Sequence, residues 1–336
     1  MRLTKGLNGR RNPVLAVVTV LLFALPTLAQ SSYLVYVATI ALVYAMLAAS
    51  WDILTGYSGL LSFGHAGFFG TGAYCAVLLV YHLGIPPWLA LIFGAAGGGL
   101  LALAVGAITL RLRGPYLALM TLAAAQIVAI LVLVNSDWTR GSLGLSGYSG
   151  LVDGGNYIAY YYIALVMTVG VVYGLYRLGE SRYGLVLRAL RDDELKVQTM
   201  GVNTARNKLI VFTVSGLVAG LAGAYFGFMV QVLTPDVFSP VAYSGLVIGM
   251  AMMGGMGTIF GPAVFALIYA AVSQLLQEFL GSGYDAAVLG ILIVLAVIFM
   301  PRGLWPLLME SGSSAPLKRF RSLRPFIVRK KAKGDS

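Results

Sequence analysis

Ten apolar runs follow one another along this chain, at roughly residues 14–29, 33–54, 66–82, 88–110, 116–134, 158–178, 209–232, 242–257, 260–280 and 286–300. Most are long enough to cross the hydrocarbon core of a bilayer, about 30 Å thick, as a helix. Backbone groups inside hydrocarbon have no water to bond to, so such a segment has to satisfy them within itself. The expected fold is an all-α, polytopic transmembrane helical bundle of about ten spans, some of them interrupted. Composition points the same way. Only 10% of the 336 residues are charged and 59% are hydrophobic, where soluble domains carry about 25% charged residues. The mean hydropathy of +0.87 excludes an ordinary soluble surface. The first and eighth runs are short, and their ends are the least defined.

Lysine and arginine set the orientation. A basic amino-terminal segment (1–13) precedes the bundle (14–303), and a basic tail (304–336) follows it, with eight basic residues between Lys318 and Lys333. Basic segments next to apolar spans mark the cytoplasmic side. They suit anionic membrane lipid rather than nucleic acid. Ten spans place both termini, the turn with Arg111 and Arg113, and the polar loop 179–208 on that side together. The opposite loops hold almost no basic residues; Arg140, in the long loop 135–157, is the exception. Arg10, Arg11 and the run ending at Thr27-Leu28-Ala29 also fit a signal peptide. Its removal would leave nine spans with unchanged orientation.

Three segments interrupt the apolar pattern. GYSGLLSFGHAGFFGTGAY (56–74) is too rich in glycine for an ordinary helix interior, where glycine costs about 1 kcal/mol against alanine. It fits a broken segment, tolerated at membrane depth where it lines a cavity or is buried in protein. GMAMMGGMGTIFGP (249–262) is a second interruption, and the loop 135–155 is long enough to carry function. YSGL occurs at Tyr57, Tyr148 and Tyr243, and its first and last copies open the glycine-rich interruptions. Paired interruptions, one in each half, point to a transport pathway between two repeats.

Several chemistries lack their residues. No phosphate-binding G-x-x-x-x-G-K-[ST] loop, G-x-S-x-G elbow or H-E-x-x-H pair occurs, so no catalytic residue and no intrinsic ATPase is expected. His65 and His82 fall on different runs with no acidic cluster nearby, so no metal site is expected. The single cysteine, Cys75, reads as a buried structural thiol. Asp52, His65 and Glu278 all fall near span ends, where an interfacial position is expected. Without deep ionisable residues, ion-coupled transport lacks its usual signature.

The polar loop holds an island of mixed charge, LRALRDDELKVQTMGVNTARNKL (187–209). Asp192 or Asp193 can cap a short helix there, and Gly201 is placed to end it in a left-handed conformation. Leu195, Val197 and Met200 give that helix an apolar side, while Lys196 and Gln198 can face water.

At this point the chain resembles the permease subunits of branched-chain amino acid ABC importers (the LivM type). The resemblance rests on the 56–74 segment, on RLRGPYLALMTLAAAQIV (111–128) and on the island with the span after it (187–224). It covers about 52–303. It implies import of branched-chain or related hydrophobic amino acids, with urea or short amides as the alternative cargo and ion-coupled secondary transport as the alternative class. It implies as partners a second homologous permease, two cytoplasmic ATPase subunits that use the ATP, and an external substrate-binding protein. No cofactor is expected in this chain. The expected location is a bacterial or archaeal plasma (inner) membrane with both termini cytoplasmic. The helix near 192–201 would seat in the ATPase, making Arg188, Arg191, Asp192, Asp193, Glu194, Lys196 and Gly201 the coupling candidates. Gly56, Tyr57, Ser62, Gly64 and His65, joined by Tyr116, Thr121 and Gln126, are the pathway candidates. Trp138, Arg140 and Tyr148 are the docking candidates for the binding protein, or else part of a self-packed cap. GPY at Gly114–Tyr116 departs from the family's pattern, which often has a charged or polar residue before the tyrosine.

Overall fold

The computed structural model of the protein describes residues 22–23, 25–26, 31–109, 112, 114–152, 155–280 and 290. The expected first and tenth spans fall outside these apart from five positions, as do Arg111, Arg113 and both basic termini. Ten helices of the described chain are labelled in order: α1 Ser32–Trp51, α2 His65–Leu83, α3 Pro87–Thr109, α4 Pro115–Val134, α5 Tyr157–Gly179, α6 Arg182–Asp192, α7 Glu194–Thr199, α8 Thr204–Val230, α9 Leu246–Gly254 and α10 Phe260–Leu280. A π-helical turn, Asp52–Tyr57, extends α1, and a second, Pro240–Gly245, leads into α9. Among the described residues, six helices are long and apolar enough to cross a membrane: α1 with its extension, α2, α3, α4, α5 and α8.

Local chemistry explains where these helices begin and end. Pro115 opens α4 after Gly114, using the N-terminal position where a missing N–H costs nothing. Asn156 caps α5 by accepting from the Ile158 and Ala159 amides. α8 starts at Thr204, five residues before the run at 209, because the Asn203 side chain accepts from the Arg206 amide. The helix therefore continues through polar residues that hydropathy reads as loop. The eighth span is shorter than expected. α9 stops at Gly254, and the chain turns through Gly255 and Gly257 at φ 109° and 80°, a region only glycine enters freely.

α8 lies at the centre, packed against α3, α2 and α1. Trp51, Phe68, Phe69, Phe212, Tyr225 and Phe228 are fully buried there. Lipid removes the hydrophobic drive between helices, so close packing has to hold them. Gly94 and Gly98 on α3 meet Gly216 and Gly220 on α8. A methyl group added at Gly98 would lie 2.6 Å from Gly220 Cα and 2.7 Å from the Gly216 carbonyl. A two-residue antiparallel ladder, Leu145–Ser146 with Val232–Leu233, ties the 135–156 loop to the chain leaving α8.

Candidate functional site

The two interruptions, about 200 residues apart in sequence, meet at Asp52. Its carboxylate accepts from the Gly257 amide at 2.6 Å and from the Ile259 amide at 2.8 Å. Gly56, one turn on, has no room for a side chain: a methyl there would collide with that carboxylate and lie 2.5 Å from the Gly257 nitrogen. Higher up, Ser244 Oγ accepts from the Ala66 amide at 2.9 Å, a second tie between the halves. Two of the three YSGL copies thus sit on π turns, and both π turns bond to the opposite interruption.

His65 opens α2 inside a chain of hydroxyls. Its Nδ1 lies 3.2 Å from Ser62 Oγ and its Nε2 lies 2.9 Å from Ser215 Oγ, which donates in turn to the Ser50 carbonyl at 2.7 Å. Asp52 and His65 are 0% exposed. Both are enclosed by protein rather than set on its surface: the π turn carries α1 past Asp52, and His65 is the first residue of α2. The Glu278 side chain lies outside the described residues.

The pathway candidates do not form one group. Ser62, Gly64, His65 and Thr121 pack together, whereas Gly56 lies against Asp52 and Gly257 and Tyr57 against Gly179 and Arg188. The Thr121 hydroxyl accepts from the Phe63 amide at 3.0 Å, and Gly64 lies against the Thr121 carbonyl. Tyr116 and Gln126 instead stand exposed on the flank of α4, 71% in the case of Tyr116. A cavity of about 490 Å³ opens elsewhere, between the start of α1, the start of α5 and the end of α8. Tyr33, Tyr36, Tyr157 and Tyr160 line it, with Met229 and Gln231. None of the pathway candidates reaches it.

The charged island forms two capped helices. Ser181 caps α6 through the Gly184 amide. Asp193, rather than Asp192, caps α7 by accepting from the Leu195 and Lys196 amides at 3.1 and 3.2 Å. Its side chain also pairs with Lys196 at 3.0 Å. The Lys196 bonds hold the Asp193 carboxyl below the usual carboxylate range. Gly201 turns the chain at φ 78°. Glu194 pairs at 2.5 Å with Lys208, whose side chain is only 7% exposed, fastening α7 to the base of α8. Arg188 pairs with Glu180 at 2.9 Å and lies 4.8 Å over the Tyr57 ring. Arg191 turns inward, donating to the Gly56 carbonyl at 2.5 Å. Asp192 is exposed. Several of the island's charges are engaged within the chain; exposed on it are Asp192, Lys196 and Arg206, together with apolar Leu195 at 60% and Met200 at 79% exposure.

In the 135–156 loop, Trp138 is exposed while its carbonyl accepts from His82 Nε2 at 2.9 Å. Arg140 packs over the Tyr81 ring at 5.2 Å. Tyr148 is buried, donating to the Gly227 carbonyl at 2.7 Å, so it fastens the loop to α8 instead of facing outward.

The profile of the branched-chain amino acid transport system permease component family matches residues 33–297. The chain belongs to that family. The high-affinity branched-chain amino acid transport system permease protein LivM of Escherichia coli K12 is 32% identical over 302 residues, 81% of this chain and 69% of the relative. LivM of Salmonella typhimurium LT2 is 33% identical over the same shares. The corresponding LivH of Escherichia coli K12 is 25% identical over 297 residues, 79% and 92% of the two chains. This permease is thus a multi-pass membrane protein of the ABC importer type, built to work with further permease subunits.

Sequence reasoning about the permease missed four of its polar contacts. Asp52 and Ser244 bridge the interruptions, while Ser50 and Ser215 hold His65. The signal was present in each case as a polar residue inside an apolar run, which is costly unless paired. Its partner was not, because each bond closes over 100 residues or more, apart from those inside the 50–65 stretch.

Proposed function

We propose that this permease imports branched-chain or related hydrophobic amino acids, driven by two separate ATPase subunits and supplied by an external binding protein. It pairs with a second, homologous permease, and its termini and α6–α7 face the cytoplasm of a bacterial or archaeal inner membrane. The α6–α7 pair carries the reading. It is a capped polar unit between two membrane-spanning helices, three ion pairs brace it, and Leu195 and Met200 project from it. Uncovered apolar side chains on a polar scaffold are contact anchors. Internal pairing of the charges stiffens the unit, so a push on those anchors is passed to α5 and α8. The names of the LivM and LivH relatives support the cargo. Trp138 and Arg140 supply the exposed contacts for the binding protein, with Tyr148 holding their loop in place.

The test is co-purification and uptake with Leu195→Asp and Met200→Asp combined. The ATPase subunits should be lost from the purified complex and ATP-driven leucine uptake into vesicles should fall by about tenfold or more, as for removal of two interface anchors. Undiminished assembly and uptake would contradict the coupling role. Uptake driven by an ion gradient without ATP would establish secondary transport instead. Competition by urea or short amides, but not by valine, would reassign the cargo.

A further inference from the structure

We infer that Arg191, Gly56 and Asp52 form a transmission joint through which the cytoplasmic helix pair moves both interrupted segments as one body. The inference rests on the coupling reading above and goes one step further inward. Arg191 stands in the last turn of α6, two residues before the Asp193 cap of α7. Its stem lies against Gly59, where a methyl would come 3.1 Å from Arg191 Cγ. Its guanidinium bonds the Gly56 carbonyl, and a methyl added at Gly257 would lie 3.3 Å from the same Nη1. One side chain from the cytoplasmic unit thus bonds the first interruption and lies close beside the second. Asp52, one turn before Gly56, grips the second interruption through the Gly257 and Ile259 amides.

The surrounding geometry suits motion at this point. Gly56 belongs to a π turn, a wide winding that appears as single turns at functional sites. Gly59 and Gly257 both have positive φ, at 72° and 80°. The chain on either side of the joint is therefore built from conformations that a neighbouring residue type would resist. The two segments are independent in sequence, yet Asp52 gives them a shared bond. A displacement of α6 transmitted by Arg191 to the Gly56 carbonyl has to carry Asp52, and with it Gly257 and the start of α10. A switch that must act on both halves of a bundle needs such a link, since packed elements move as units rather than deforming continuously.

Arg191 and Asp52 are positioning residues, and the readout has to separate transmission from folding. In the reconstituted complex with ATPase subunits and binding protein, ATP hydrolysis and radiolabelled leucine uptake are measured together. Arg191→Met should assemble, since methionine keeps an unbranched stem against Gly59 and the residue retains solvent exposure. The ATP hydrolysed per leucine moved should rise by about tenfold, the scale of losing one hydrogen bond to a charged group. Arg191→Lys should recover part of the loss. Asp52→Asn, which presents an amide N–H where an acceptor is needed, should raise the same ratio. The double variant should be no worse than the poorer single, because residues acting through one joint are not additive.

An unchanged ratio in Arg191→Met, or uptake and hydrolysis falling in proportion, overturns the joint even if Asp52→Asn fails to assemble. Effects of the two substitutions that multiply would also overturn it. If the wild-type complex itself moves no leucine with ATP, the coupling reading fails first and the joint falls with it. A wild type that transports normally beside a tightly coupled Arg191→Met sinks the joint alone.

Discussion

His65 stands between two serine hydroxyls whose own bonding fixes its tautomer. The Ser215 hydroxyl commits its proton to the Ser50 carbonyl, so toward His65 it can only accept, and Nε2 has to carry the hydrogen. Nδ1 is then an acceptor for the Ser62 hydroxyl, which itself accepts from the Gly64 amide. Each ring nitrogen has one partner and each of the two hydroxyls both donates and accepts, linking α1, α2 and α8. His65→Ala would leave the Ser62 proton without its acceptor, leave the Ser215 hydroxyl only its bond to Ser50, and open a void. The expected loss is about 2–4 kcal/mol, from unsatisfied buried groups and the cavity together. Thermal unfolding in detergent, followed by loss of the monodisperse peak, should show a clearly lowered midpoint. A midpoint equal to wild type would mean that water or a rearranged serine replaces the imidazole. The sequence showed His65 as a polar residue after a glycine-rich break, which marks a special position but not its purpose. Ser215 lies 150 residues away inside an apolar run, and no local spacing connects the two.

Helices α3 and α8 owe their closeness to glycines, and that dependence is position-specific. A methyl at Gly98 has backbone of α8 within 2.7 Å, whereas at Gly170 on α5 it meets nothing within 4 Å. Gly98→Ala should therefore cost about 1–3 kcal/mol by overpacking. Gly170→Ala should be neutral or stabilise by up to about 1 kcal/mol, since alanine suits a helix better. Melting curves of the two variants side by side check this, and equal curves would show that α3 and α8 separate without cost. At this scale most of the fold was legible. Runs of bilayer length are a strong signal, and the bounds of α10 agree with the expected run at both ends. The short helix after Asp193 and its end at Gly201 also follow from capping chemistry that acts within a few residues. The start of α8 and the two π turns were not legible. The first depends on one amide cap among charged residues. The π turns reflect bonds made to the other half of the molecule.

Taken whole, the permease has two unlike ends, and the difference is open to direct measurement. One end gathers α6, α7 and the joint at Gly56. The other gathers the cavity of tyrosines and the loop that Tyr148 and the short β ladder fasten to α8. The described basic residues between Arg177 and Lys208 lie at the first end, and the orientation proposed above puts that end in the cytoplasm. Met200 and Leu143 are suited to test this because they are 79% and 88% exposed and lie on α7's trailing turn and the opposite loop. In a Cys75→Ala background, Leu143→Cys should react with a membrane-impermeant maleimide added outside intact cells. Met200→Cys should stay unlabelled until the membrane is opened. Assembly with the ATPase subunits should then protect Met200→Cys, because this position and the Leu195 anchor become covered together, while Leu143→Cys keeps its reactivity. Labelling of Met200→Cys from outside intact cells would invert the molecule, placing the capped helix pair where no ATPase can reach it and removing the physical basis for coupling.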